Sequence, residues 1–401
     1  MRILFVHNRY QQAGGEDVVV HAESSLLARM GHNIELWEEN NDAILSRLDA
    51  VKTGVQSVYS FRQAGKMRER IRRFDPDVVH IHNFFPRLSP SIHFACFRAG
   101  IPIVQSLHNF RLLCPAATFQ GGGKVCEECL GKSVPWPSVE NGCYRNSRAA
   151  SAAVAIMLSV HRALGTWRRS VSRFIALTEF ARDRFIAGGL PTEKISVKSN
   201  FVEPDPGIGS GGGNYALFVG RLAEEKGIGT LLAAWNRLSI KPRLKIIGDG
   251  PLAPDVAKAA ATHPEIEWLG SRSREEVSRA MAEASVLILP STWYEGFPLV
   301  VAEAFAAGLP IIASRIGGVA EVVSDGHTGL LVSPGNPDEL GNAVSRAFSH
   351  REELQVMRFQ ARSEFERKYT AEVNYARIMT IYTAAIESRL TPVQLCQSPA
   401  I

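Results

Sequence analysis

SVLILPSTWYEGFPLVVAEAFAAGLPIIAS, residues 285–314, reads as a strand, a loop, a helix and a second strand. The runs at 285–290 and 310–314 are apolar almost throughout, as parallel strands covered on both faces should be. Between them, Pro298 suits a first helical turn, and VVAEAFAA carries helical spacing. This is one βαβ unit. It holds two glutamates, Glu295 and Glu303, eight positions apart. A general-base pair, a metal clamp or two solvated helix residues would give the same letters. Their positions differ, however. Glu295 falls in the loop before the helix, whereas Glu303 lies more than one turn inside it. They therefore do not share one edge of a site, but could touch different parts of an extended ligand.

The same alternation fills the chain in both directions. Upstream, strands are expected at RILFVH (2–7), NIELWEE (33–39), DVVHIHN (77–83), IPIVQSLH (101–108), RFIALT (173–178) and KISVKS (194–199). The helix EDVVVHAESSLLARM follows the first strand and is closed by Gly31. A second series runs through YALFVG (215–220), RLKIIG (243–248), IEWLG (266–270), 285–290, 310–314 and GLLVS (329–333). Between the two series lies DPGIGSGGGNY, a glycine-rich stretch that reads as a flexible connection. The expected fold class is α/β, with two doubly wound, Rossmann-like parallel-sheet domains facing a central cleft. Residues 1–204 form the first domain, 205–214 the linker and 215–370 the second domain. Residues 371–401 form a C-terminal helix that can cross back to the first domain, followed by a patternless tail. Open α/β sheets bind ligands at the carboxyl ends of their strands, so the residues just after strands carry the functional argument.

Bulk properties narrow the classes. The 401 residues are 45% hydrophobic and 21% charged, with net charge +5. That describes folded domains, and the charge is too modest for a nucleic-acid binder. No apolar run approaches the ~18 residues of a membrane span. MRILFVHN lacks the apolar core and cleavage site of a secretory signal. A cytoplasmic protein is expected.

After the strand 215–220 come Arg221 and Lys226, at the entrance to a helix. A helix N-terminus favours anions, and two cations added there suit a diphosphate. The competing reading is two solvated bases paired with Glu224 and Glu225. Gly248 and Gly250, after the strand 243–248, either clear the way for a ligand or make a plain turn. The N–H groups of Phe297 and Leu299 are free to point at a ligand.

Taken in order, VGRLAEEKGI, IIGDGP and EGFPLVVAEAFAAGLPIIAS resemble the retaining glycosyltransferases of family 4 (GT4, the glycosyl transferases group 1), which have the GT-B fold. The Glu295-x7-Glu303 pair matches that family's E-x7-E motif, and the likeness extends over roughly residues 1–390. It implies a donor that is a nucleoside-diphosphate sugar. Arg221 and Lys226 would hold the diphosphate, and Glu303 the ribose hydroxyls. Glu295 would bind the donor sugar or support its positively charged transition state, which makes it a catalytic candidate. The backbone at Phe297 and Leu299, with Gly248 and Gly250, would fix the donor. Gly14 and Gly15 after the first strand would contact donor or acceptor, and Gly317 and Gly318 would line the pocket. His108 would sit in the cleft near the reacting sugar, as a second catalytic candidate. Asn83 and Arg111 are acceptor-site candidates. His80 and His82 lie on one strand, and one of them is expected to face the cleft. No metal ion is expected in catalysis. The sole DxD pattern, Asp75-Pro76-Asp77, precedes a strand, at the wrong end for a ligand.

Residues 112–146 depart from the family's common pattern. Four of the six cysteines fall here, spaced Cys114-x11-Cys126-x2-Cys129-x13-Cys143. That spacing suits a tetrahedral structural zinc; free thiols or disulfides are the alternatives. The insert follows His108 and is expected to overhang the acceptor cleft. Basic residues cluster at 66–73 and 162–173, the latter after the apolar AAVAIMLSV. This fits peripheral contact with an anionic membrane, or equally a helix with one core face and one wet face. The expected activity is transfer of a sugar to a saccharide or lipid-linked saccharide acceptor, at the inner face of the membrane, in cell-surface polysaccharide or glycolipid synthesis. A nucleotide-sugar 2-epimerase and a non-catalytic sugar-binding protein are the other readings.

Overall fold

The computed structural model describes residues 1–9, 14–41 and 47–390. The patternless tail and Cys396 lie outside the described residues. The first sheet contains β1 (Arg2–Arg9), β2 (Asn33–Asn40), β3 (Val78–Asn83) and β4 (Ile103–Leu107). After a short antiparallel hairpin, β5 (Gln120–Gly121) and β6 (Lys124–Val125), it is completed by β7 (Arg173–Ala176) and β8 (Ile195–Val197). The second sheet contains β9 (Tyr215–Val219), β10 (Arg243–Ile247), β11 (Ile266–Gly270), β12 (Val286–Leu289), β13 (Ile311–Ser314) and β14 (Gly329–Val332). Every neighbouring pair in the two large sheets is parallel.

Strand order decides where a ligand can sit. The first sheet runs β2-β1-β3-β4-β7-β8 and the second β11-β10-β9-β12-β13-β14. The order reverses between β1 and β3, and between β9 and β12. Connections leave in opposite directions at such points, which opens a crevice at the strand ends.

The apolar strands are covered on both faces. Leu287, Leu289, Ile311 and Ala313 pack with Val301, Ala302 and Phe305 on one side. Their neighbours Val286, Ile288 and Ile312 pack with Leu231, Trp235 and Val344 on the other. The helix Leu299–Ala306 follows Pro298, which is extended (φ −67°, ψ 123°), so Pro298 precedes the helix and is not part of its first turn. The helix Ala371–Leu390 returns to the first domain. Its Ile378, Ile381, Tyr382 and Ala385 share a core with Ile3, Phe5, Val78, Val104 and Ile175.

The glycine-rich stretch is not the flexible connection expected from its composition. Gly209, Gly211 and Gly213 donate main-chain hydrogen bonds to Ala307, Ala282 and Glu283 of the second domain. A Cβ on Gly209 would come within 2.2 Å of Ala282 O, and one on Gly211 within 2.3 Å of Arg358. Here glycine provides close packing rather than slack.

Candidate active site at the interdomain cleft

The β9/β12 crevice brings together residues far apart in sequence. Lys226 ends the single turn Glu224–Lys226 after β9. Its Nζ donates to both oxygens of Glu295, at 2.8 and 2.9 Å. The Ser291 hydroxyl donates to the same carboxylate at 2.6 Å. Neither Glu224 nor Glu225 takes the lysine. Burial pushes the Glu295 carboxyl up, but the Lys226 charge and the hydrogen bonds of Lys226 and Ser291 outweigh it, leaving a net downward shift. Glu295 is thus held ionised. Arg221 is exposed and has no ion-pair partner among the described residues. A cation without a partner beside a helix entrance is available to an anion. The N–H groups of Phe297 and Leu299 have no main-chain partner among the described residues, while the Phe297 ring is buried against Tyr369 at 5.3 Å.

Glu303 behaves differently. Its side chain is 25% exposed and its nearest cation, Arg274, stands 4.0 Å away. Burial raises its pKa and Arg274 offsets this only in part. The two glutamates thus shift in opposite directions because one has a lysine and the other does not.

Gly248 and Gly250 allow two loops to pack closely. Their φ values are 142° and 157°. A Cβ on Gly248 would lie 1.9 Å from Gly220 O, and one on Gly250 2.5 Å from Leu222 O. The missing side chains let the loop after β10 dock on the loop after β9, sealed by Leu222 N–H to Asp249 O at 2.9 Å. By contrast, among the described residues no atom lies within 4 Å of a Cβ built on Gly14 or Gly15. Gly317 and Gly318 pack against the loop that carries Glu295: a Cβ on Gly318 would come within 2.4 Å of Gly296 O.

The two domains meet around that loop. Thr178 Oγ1 donates to Gly296 O at 3.3 Å, and a Cβ on Gly296 would stand 3.4 Å from His108 O. Glu321 accepts the N–H groups of Glu179 and Phe180 at 3.0 and 2.7 Å, capping a first-domain helix from the second domain. Tyr294 packs edge-on against Phe119 and Phe180.

On the first-domain side, His108 and His82 share a hydrogen bond of 2.9 Å and stack at 5.2 Å. Burial, helped by the charges of His7 and Lys198, lowers the His108 pKa to about 3, so the ring is neutral at ordinary pH. His80 and His82 point to the same side of their strand. Residues two apart in a strand share a face, and these rings lie 4.1 Å apart. His82 reaches the cleft residue; His80 bonds Ser106 and Tyr382 beneath it. Below them is an ion pair that the sequence reading missed. Lys198, at the end of β8, bonds Glu23, and both side chains are at most 2% exposed. The available signal was a glutamate on the buried face of an apolar helix. Glu23, His80 and His82 hold ligand atoms within 4.8 Å of one another. Lys198 already neutralises Glu23 and both His80 nitrogens are engaged, which leaves this trio a poor cation site.

Asn83 and Arg111 both make contacts within the fold. Asn83 donates to Asn8 O and accepts from Phe85 N. Arg111 bonds Pro115 O and stacks over Phe85 at 4.6 Å and Tyr144 at 5.0 Å. Asp75 and Asp77 are held by Arg2 at the far end of the sheet.

The match to known proteins follows the two halves. The Glycosyltransferase Family 4 pattern matches residues 13–206, and the Glycosyl transferases group 1 pattern residues 213–350. This chain belongs to glycosyltransferase family 4. An uncharacterized glycosyltransferase of Methanocaldococcus jannaschii is 33% identical over 171 residues, 42% of this chain and 48% of its own length. The alpha-D-kanosaminyltransferase of Streptomyces kanamyceticus is 26% identical over 70% of both chains. The GT-B fold is shared with Anabaena HepE, solved in complex with UDP: TM-score 0.67 at 17% identity, covering 96% of this chain and 100% of that chain. Among the described residues no helix is long and apolar enough to cross a membrane.

Proposed function

We propose that this glycosyltransferase moves a sugar from a nucleoside-diphosphate donor to an acceptor hydroxyl with retention of anomeric configuration, and needs no metal ion to do so. The observation that carries this reading is the β9/β12 crevice, where Lys226 holds an ionised Glu295 and the exposed Arg221 follows β9 in the same chain turn. The UDP bound to HepE, which shares the fold, supports the same choice of donor.

Bond cleavage puts negative charge on the departing diphosphate and positive charge on the sugar ring. Arg221 and Lys226 stabilise the first charge, in a site that is preorganised before the reaction. Glu295 faces the second, and Lys226 keeps it ionised for that purpose. Glu303 accepts hydrogen bonds from the ribose, a task its raised pKa permits only above the carboxyl's titration. Neutral His108 offers a hydrogen bond to the sugar rather than acting as a cation. The acceptor enters over the first domain past Gly14 and Gly15. It is a saccharide or a lipid-linked saccharide destined for a cell-surface polysaccharide or glycolipid. Exposed Trp136, Ile156 and Leu164, with the exposed Arg168 and Arg169, support docking on the inner face of an anionic membrane.

A ligand that binds the native state raises its melting point. Thermal shift against UDP, GDP, ADP and their sugars is expected to single out one nucleotide, and Lys226→Ala is expected to abolish the shift. Isomerisation of a donor sugar without acceptor would instead identify an epimerase and refute the reading.

A further inference from the structure

Glycosyl transfer leaves Cys114, Cys126, Cys129 and Cys143 without a role. All four are free thiols; Cys114 and Cys129 are buried, and Cys126 and Cys143 are half-buried. The fold gathers them from three turns. Cys114 closes a turn through its N–H to Phe110 O at 2.8 Å. The hairpin β5–β6 reverses at Gly122 and Gly123, both with left-handed φ (58° and 75°). Cys126 leaves that hairpin with its N–H on Phe119 O at 2.7 Å, and the turn from Glu127 to Leu130 delivers Cys129. Cys143 returns through its N–H to Ser138 O at 3.0 Å. Cys129 lies within electrostatic reach of the other three thiols, and Cys143 within reach of Cys114 and Cys126.

Core contacts of Leu112, Leu113 and Phe119 anchor this segment, but regular structure within it is sparse. Between β4 and the helix Arg148–Ala163, its regular structure is the two-residue strands β5 and β6 and a four-residue helix, Pro137–Glu140. Arg162 clips both flanks, donating to Leu112 O and Leu113 O at 2.8 and 3.2 Å and to Lys132 O. Its guanidinium also lies within electrostatic reach of Cys129, where it would offset thiolate charge.

We propose that Cys114, Cys126, Cys129 and Cys143 bind one structural zinc ion that fastens residues 112–146 beside the donor loop. Zinc forms four metal–sulfur bonds and displaces up to four thiol protons; no electron is transferred. Tetrahedral bonds of ~2.3 Å place sulfurs about 3.8 Å apart. No three of the four sulfurs lie mutually within 4.8 Å in this structure, so binding has to draw the three turns inward and couples metal uptake to local ordering. The segment is well placed to pass that order on. Phe119 meets Tyr294, the neighbour of Glu295, and a Cβ on Gly123 would lie 3.4 Å from Glu224 Oε1, two residues before Lys226.

The site is tested without reference to sugar transfer. Full-length protein, purified under reducing conditions and incubated with zinc then desalted, is expected to hold about one equivalent by elemental mass spectrometry. The double variant Cys126→Ser/Cys129→Ser is expected to hold none. Should that variant misfold, titration of the wild-type thiols with an organomercurial, read by a zinc-sensitive dye, still decides: zinc release is expected to track thiol modification. Wild-type protein that holds under a tenth of an equivalent, or whose intact mass shows these cysteines as disulfides, would overturn the proposal. Neither result would touch the assignment of the donor site.

Discussion

Replacing Lys226 by Met tests the centre of the crevice. The Glu295 side chain is 7% exposed and Lys226 21%. Methionine removes the charge but leaves the carboxylate buried, with Ser291 as its remaining partner. Breaking a buried pair from one side costs about 3–5 kcal/mol. Lysine here is one-fifth exposed, which places the cost nearer the lower figure. Protonation supplies a ceiling: taking up a proton at pH 7 on a carboxyl whose ordinary pKa is 4.5 costs about 3 kcal/mol. The expected loss is therefore about 2–3 kcal/mol, or a melting point lower by about 4–12 °C for a domain of this size. The loss should shrink toward pH 5, where the stranded carboxyl takes up a proton more easily. Lys226→Met/Glu295→Gln removes both charges and should regain most of the stability, giving a coupling of about 2 kcal/mol in a double-mutant cycle. Urea unfolding of the four proteins at pH 7 measures this. Additive single-variant losses would show that the pair does not interact and would refute the electrostatic account of the site.

Gly248→Ala combines a left-handed φ with a 1.9 Å clash against Gly220 O, so soluble yield and melting point should drop sharply; Gly14→Ala meets nothing within 4 Å among the described residues and should melt as wild type, while weakening donor binding in calorimetry. An unchanged Gly14→Ala affinity would remove that loop from the ligand path. Buried His80, His82, His93 and His108 all have lowered pKa values, to about 4 for His93 and about 3 for His108. The unfolded chain binds protons that the folded one refuses, so stability is full above about pH 6.5 and falls below it, by up to about 1.4 kcal/mol per pH unit for each histidine. Urea midpoints that stay flat from pH 7 to pH 5 would contradict this. Because the Glu303 pKa is raised, donor affinity should begin to fall at a higher pH than for an ordinary carboxyl. Glu303→Gln should weaken binding and flatten that dependence; a variant with the wild-type pH profile would show that Glu303 does not contact the donor.

All twelve strands of the two large sheets were legible in the sequence to within a residue or two, because most are apolar runs ended by glycine, proline or a polar residue, and β2 alternates apolar with polar. The hairpin β5–β6 was not, since two-residue strands carry no period. The donor loop was legible as chemistry, but its internal pairing was not. Arg221 and Lys226 looked like equals; the fold leaves Arg221 exposed and gives Lys226 to Glu295. Composition misled at 205–214, where glycines that look like slack are contact points for Ala282 and Arg358.

By itself, the sequence determined which segments are strands and helices, and which residue types stand just after each strand. Those properties depend on neighbours two to four positions away, where side-chain period and turn chemistry act. The tertiary structure alone decided which of those residues meet. Lys226 and Glu295 are 69 positions apart and Glu23 and Lys198 are 175 apart. No local pattern encodes either pairing. Each follows from strand order, which sets β9 beside β12 at the point where the sheet reverses, and from burial, which leaves an unpaired charge at these positions too costly to keep.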